Sequence, residues 1–170
     1  AAEKLAKIPS APVAVVIFGF HRYRARRPLD GFGFLVPEVE KRKILGTIFT
    51  SAIFPGRTPE GGDLLTTFIG GMRQPGLVGL DDEDMGAIVA EELTDLVGLR
   101  ARPDFAWIRR WESAIPQYHL GHAAIIAAAE EAERATPGLH LAGNWRGGIS
   151  VADCVARSSE LADAMSRVKS

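Results

Sequence analysis

A chain of 170 residues, 46% hydrophobic and 24% charged, is long enough for one domain with a real core or for two small lobes. With 20 Lys and Arg against 21 Asp and Glu the net charge is −1, so no basic field is present to hold nucleic acid. The single cysteine, Cys154, excludes a disulfide framework or a cysteine metal cluster within one chain, and no apolar stretch reaches the length of a membrane span.

The start, Ala1-Ala-Glu-Lys-Leu-Ala-Lys, lacks the basic-then-apolar pattern of a signal peptide and reads as the interior of a helix stopped by Pro9 and Pro12. Residues 13–20 are β-branched and aromatic and predict a buried strand. The basic run that follows carries Arg22, Arg24, Arg26 and Arg27. It reads as a solvated loop, with an anion-attracting rim as the sharper alternative. A short strand is expected at 31–36, closed by Pro37, and a long one at 44–53, broken by Phe54-Pro55-Gly56. Another is expected at 64–69, ended by Gly70-Gly71. Strands joined by short polar turns imply an antiparallel meander.

The period then changes. Asp81 is placed to cap a helix over 82–97, with acidic residues at its positive end and Gly98 at its close. Phe105, Trp107, Ile108 and Trp111 lie in a further strand. Residues 119–134 are alanine-rich and helical, stopped by Pro137-Gly138. Residues 139–142 read as a short strand entering a turn with three glycines, and a helix runs from there to 168. The fold class is therefore α+β: a mostly antiparallel sheet with one covering helix, then a helix–strand–helix unit. The chain divides loosely near Ser113, into 1–112 and 113–170.

The terminal turn is the strongest candidate site. Gly143 lets a ligand approach the backbone, and Gly147 and Gly148 permit a sharp entry into the helix. Ser150 is placed to cap that helix, with Asp153 reaching back to the Ser150 amide. The free N–H groups of a helix start attract electron-rich atoms. An ordinary strand–helix connection that binds nothing is the other reading. His119 and His122 have the spacing of a metal pair but no further ligand nearby, and read as a helix start. Gly31-Phe-Gly33 lacks the third glycine and the following helix of a dinucleotide fingerprint. No nucleophile triad or carboxylate pair is convincing, so no catalytic acid, base or metal is assigned. Leu35, Phe54 and Phe68 suit either an apolar pocket or the core.

Several segments occur in a specific order: Gly31-Phe-Gly-Phe-Leu-Val-Pro37, Ile44-Leu-Gly46 with Ser51 and Phe54-Pro55, Gly70-Gly71, Trp111 with Ile115-Pro-Gln-Tyr118 and Gly121-His122, and Ala142-Gly-Asn144 through Gly148-Ile-Ser-Val-Ala-Asp-Cys154. Together they resemble the C-terminal part of the protoporphyrinogen oxidases, flavoproteins of the amine-oxidase superfamily. The resemblance implies FAD and the O2-dependent removal of six electrons from protoporphyrinogen IX, giving hydrogen peroxide. It makes 1–112 part of a substrate domain and 113–170 a return into an FAD-binding domain. It places Trp111, Gly143, Asn144, Gly148, Ile149, Ser150 and Val151 at the flavin, and Leu35 and Phe54 at the macrocycle. Coproporphyrinogen III is an alternative substrate, with the four arginines as carboxylate partners. A stand-alone tetrapyrrole-binding or partner-binding domain is the non-enzymatic alternative.

Two positions depart from the family pattern: Arg146 stands where Tyr is usual, and Ser150 where Gly or Ala is usual. The family's N-terminal nucleotide-binding half and its membrane-docking helices are missing, so the chain is expected to be a fragment that binds FAD poorly alone and does not turn over. A homodimer, and a peripheral membrane contact made by the missing part, are compatible with the resemblance. The compartment is read as cytoplasmic.

Overall fold

The computed structural model describes residues 1–21 and 29–167. Arg22, Arg24, Arg26 and Arg27 lie outside the described residues. The chain forms two compact units, Ala11–Ala114 and a second that joins Ala1–Ser10 to Ile115–Ser170. No helix among the described residues is long and apolar enough to cross a membrane.

The first unit is built on a five-stranded antiparallel sheet of order β2-β3-β4-β1-β5. Its strands are β1 (Ser10–His21), β2 (Gly33–Leu35), β3 (Ile44–Phe49), β4 (Gly62–Gly70) and β5 (Phe105–Pro116). Alternation along each strand sends successive side chains to opposite faces. In the register, Ala14 lies opposite Ile69, and Ile69 opposite Ile44. These three are fully buried and define the core face. The same face carries Thr47 and Thr67, whose hydroxyls meet at 3.0 Å, so neither buried oxygen goes unsatisfied.

The core face is covered by α3 (Asp82–Val97), which places Met85, Val89 and Leu93 against it, all fully buried. The helix begins and ends as its sequence requires. The Asp81 carboxylate accepts the Asp84 N–H at 2.8 Å, and Gly98 closes the helix at φ +73°. Arg110 of β5 ties the entry to α3 in place: its guanidinium donates to the Val78 and Leu80 carbonyls and to the Asp82 carboxylate.

The strand expected over 44–53 is shorter than its apolar pattern suggests. It stops at Phe49, and Thr50–Ile53 make one helical turn, α2. Side chains fix this break: the Thr50 and Thr66 hydroxyls meet at 2.7 Å, and Ser51 Oγ accepts the Leu64 N–H at 3.0 Å. An extra residue, Leu45, also sits in β3 as a bulge, because Ile44 pairs with Ile69 while Gly46 pairs with Phe68. A Cβ on Gly46 would fall 2.5 Å from the Phe34 carbonyl oxygen, so glycine is what lets β2 close on the bulge.

In the second unit, α1 (Ala2–Leu5) packs on α4 (His122–Ala135), and α5 (Val151–Arg167) completes the chain. The strand expected at 139–142 does not form among the described residues. Its backbone groups are taken by side chains instead. The Leu141 N–H donates to Glu133 at 2.7 Å, and the Leu141 carbonyl accepts from Arg146 at 3.0 Å. With both groups of Leu141 satisfied this way, the segment has no need of a neighbouring strand.

Candidate functional site

The candidate residues fall in both units: Leu35, Phe54 and Trp111 in the sheet unit, the glycine turn in the other.

In the sheet unit, the face opposite the core carries the candidates. Register places Leu35 opposite Gly46, Gly46 opposite Phe68, and Phe68 opposite Val15. These four therefore form one row across β2, β3, β4 and β1, in which Leu35 is exposed, Phe68 is partly buried, and Gly46 and Val15 are buried. On β5, Ile108 packs toward the core, so Phe105, Trp107 and Trp111 turn to the opposite face. All three are about half exposed. Leu35 is 87% exposed and Phe54 51%. Neither is buried in the core of this unit. Phe54 lies at the close of α2, outside the strand row, with the Arg57 guanidinium 5.9 Å above its ring. The Trp111 ring carries Arg109 at 5.8 Å.

An apolar hollow of about 530 Å3 opens on this face between Ile17, Leu64, Phe105 and Trp107. Asp63 lines it, and burial pushes its carboxyl above the usual range.

In the other unit, Gly143 to Val151 are brought together as one turn entering α5. The expected cap is present. Ser150 Oγ accepts the Asp153 N–H at 3.0 Å, and the Asp153 carboxylate accepts the Ser150 N–H at 3.2 Å. That leaves the N–H groups of Val151 and Ala152 without partners inside the helix, at an exposed helix start. This donor set fits an electron-rich ring edge such as that of a flavin. An open hollow of about 560 Å3 runs from Asn144 and Ile149 past Val151 and Val155.

Gly148 is required here. Its φ is +138°, and a Cβ would stand 2.5 Å from Asp153 Cβ, on top of the cap. Gly148→Ala is expected to cost about 1 kcal/mol and to fray the first turn of α5. Faster amide exchange at Asp153 and Cys154 would report it; unchanged exchange would contradict it.

Arg146, which departs from the family pattern, is explained by its neighbours. Its guanidinium meets both oxygens of Glu133 at 3.0 Å and also reaches Glu130 and the Leu141 carbonyl. The Leu141 N–H, then Arg146, hold the Glu133 carboxyl below the usual range, against the opposing pull of burial. Sequence reasoning misses this pair because the partners stand far apart along the chain, with Pro137, Gly138 and Gly143 between them. The helix-start reading of His119 and His122 also gives no sign that the two differ in burial. His119 is exposed, but His122 is buried, at 8% exposure. No group of three metal-ligating side chains comes together among the described residues.

A family model described as flavin containing amine oxidoreductase matches residues 1–165. Protoporphyrinogen oxidase 2 of Arabidopsis thaliana is 36% identical over 94% of this chain and 32% of its own length. Coproporphyrinogen III oxidase of Bacillus subtilis is 30% identical over 91% of this chain and 33% of its own. A crystal structure from Exiguobacterium sp. 255-15, provisionally assigned as a protoporphyrinogen oxidase, superposes with a TM-score of 0.81 at 26% identity, covering 97% of this chain and 36% of that one. The chain spans about a third of the length of the curated relatives it matches.

Proposed function

Because the chain belongs to the flavin-containing amine oxidoreductase family, we propose that it supplies the substrate sheet and the flavin-facing turn of an FAD-dependent, O2-dependent porphyrinogen oxidase. The exposed apolar side chains of the sheet's outer face carry this reading. A row of Leu35, Gly46 and Phe68, flanked by half-exposed Phe105, Trp107 and Trp111, suits a broad, flat, apolar ring system.

Protoporphyrinogen IX is the proposed substrate, since its two propionates leave most of its edge apolar. The four-propionate coproporphyrinogen III is the second reading, supported by the similarity to the Bacillus subtilis enzyme. The sheet unit, which makes up most of 1–112, is assigned to the substrate domain, and 113–170, with which Ala1–Ser10 is grouped, to the FAD-binding domain. A cytoplasmic or membrane-peripheral setting and a homodimer belong to the same proposal.

FAD held at this turn would supply two-electron oxidation of the macrocycle, with O2 as the final electron acceptor. The chain's own residues have a positioning task. Gly143, Asn144, Gly148, Ile149, Ser150 and Val151 would present a helix start to the electron-rich ring edge; Trp111 is carried over as a flavin residue from the resemblance alone. Leu35 and Phe54 exclude water from the macrocycle. No residue of the chain is assigned as a catalytic acid or base.

The test assays the protein as its host makes it, loaded with FAD, on both porphyrinogens under air, reading porphyrin fluorescence. Faster oxidation of protoporphyrinogen IX is expected. Equal or reversed rates overturn the choice of substrate; no oxidation of either overturns the proposal.

A further inference from the structure

Tyr118 and His122 lie four positions apart around the start of α4, and their rings stack at 4.2 Å with an interplanar angle of 12°. Both polar ends point into the glycine turn. The Tyr118 hydroxyl donates to the Asn144 carbonyl at 2.8 Å and accepts the Gly148 N–H at 3.4 Å. His122 Nε2 meets the Trp145 carbonyl at 2.7 Å. A carbonyl only accepts, so Nε2 carries the proton and donates.

That leaves Nδ1 of a ring only 8% exposed with no hydrogen-bond partner. An orphaned ring nitrogen in a buried place is unfavourable. The ring's position is therefore set by the Nε2 bond and the stack on Tyr118, rather than by its own full satisfaction. The turn needs such a hold. Gly143, Gly147 and Gly148 all have positive φ, and glycine loses the most freedom on ordering. The turn's own backbone bond, Arg146 N–H to the Gly143 carbonyl at 3.1 Å, spans only its first half.

We propose that Tyr118 and His122 are positioning residues: a stacked pair that clamps the 144–148 backbone, and so fixes where the following N–H donors of Val151 and Ala152 meet the flavin. The inference rests on the flavin reading given above. It assigns these side chains no contact with flavin or substrate. Their effect reaches the cofactor through the turn, so it changes the flavin's preference for its reduced form more than it changes the fold.

The test uses three substitutions. Tyr118→Phe keeps the stack and removes the hydroxyl. His122→Leu removes the donor. His122→Gln restores a donor near the position of Nε2. Amide exchange is read on the full chain, and the two-electron flavin potential on the FAD-loaded protein as its host makes it. Tyr118→Phe and His122→Leu are expected to speed exchange at 147–149 by about tenfold. They are expected to move the potential negative by about 30 mV for each tenfold lost in preference for reduced flavin. His122→Gln should recover both. Flavin bound with an unchanged potential in Tyr118→Phe and His122→Leu overturns the clamp alone, as does a His122→Gln variant that behaves like His122→Leu. A wild-type protein that takes up no flavin overturns the proposed function, and the clamp's role with it.

Discussion

Leu93→Ala is expected to cost about 2–5 kcal/mol, the range for truncating a fully buried leucine. Leu93 is 0% exposed and belongs to the cluster that α3 forms with Ala14, Ile44 and Ile69 of the sheet. Truncation removes buried methyl groups and leaves a cavity that a rigid sheet cannot close. In a unit of about one hundred residues the melting temperature should fall by roughly 10 °C or more. Leu35→Ala is the matched control. Leu35 is 87% exposed, so the same chemical change should alter stability by no more than about 0.5 kcal/mol. Its cost should appear instead in affinity for a porphyrin. Thermal melts and porphyrin titrations of the two variants separate the faces. Similar losses of stability in both would mean that the sheet is buried on both sides, and the open face would no longer be a candidate site.

The sequence exposes α3 completely, because every signal agrees: an acidic cap, apolar residues at helical spacing, and a closing glycine. The terminal cap is legible for the same reason, as Ser150 and Asp153 need only each other. Legibility fails where distant side chains decide. The apolar run through Ile53 has no break of its own; Thr66 and the Leu64 amide impose one on Thr50 and Ser51. Residues 139–142 have strand composition, yet Glu133 and Arg146 take the Leu141 backbone. Composition records preference, whereas the partner of each N–H is settled in three dimensions. The candidate site divides in the same way. Its turn is local and readable. The sheet row is half visible: Leu35 and Phe68 stand out as apolar strand residues, but their common face depends on the Leu45 bulge. That bulge shifts register by one residue and sets which side chains turn outward. Tyr118 and His122 lie in segments that carry the resemblance, but nothing in their spacing says that their rings stack.

Glu133→Ala is expected to destabilise the second unit by about 2 kcal/mol and to make that loss depend on pH. The carboxylate accepts the Leu141 N–H and two bonds from Arg146, whose side chain is only 19% exposed. Its removal leaves the largely buried Arg146 with only Glu130, at 3.5 Å, as a counter-charge and frees the Leu141 N–H; partial exposure of the acid keeps the cost below that of a fully buried pair. The Leu141 amide and Arg146 hold the carboxyl below the ordinary 4.5 in the folded state. Between the folded and unfolded values the unfolded chain binds more protons, so stability rises with pH. The contribution is complete above about 4.5 and is lost as pH falls through the folded value. Denaturant melts of wild type and Glu133→Ala should therefore differ most near neutrality and converge in acid. A difference that persists unchanged at low pH would show that Glu133 acts by packing alone, and that Arg146 finds its partner elsewhere.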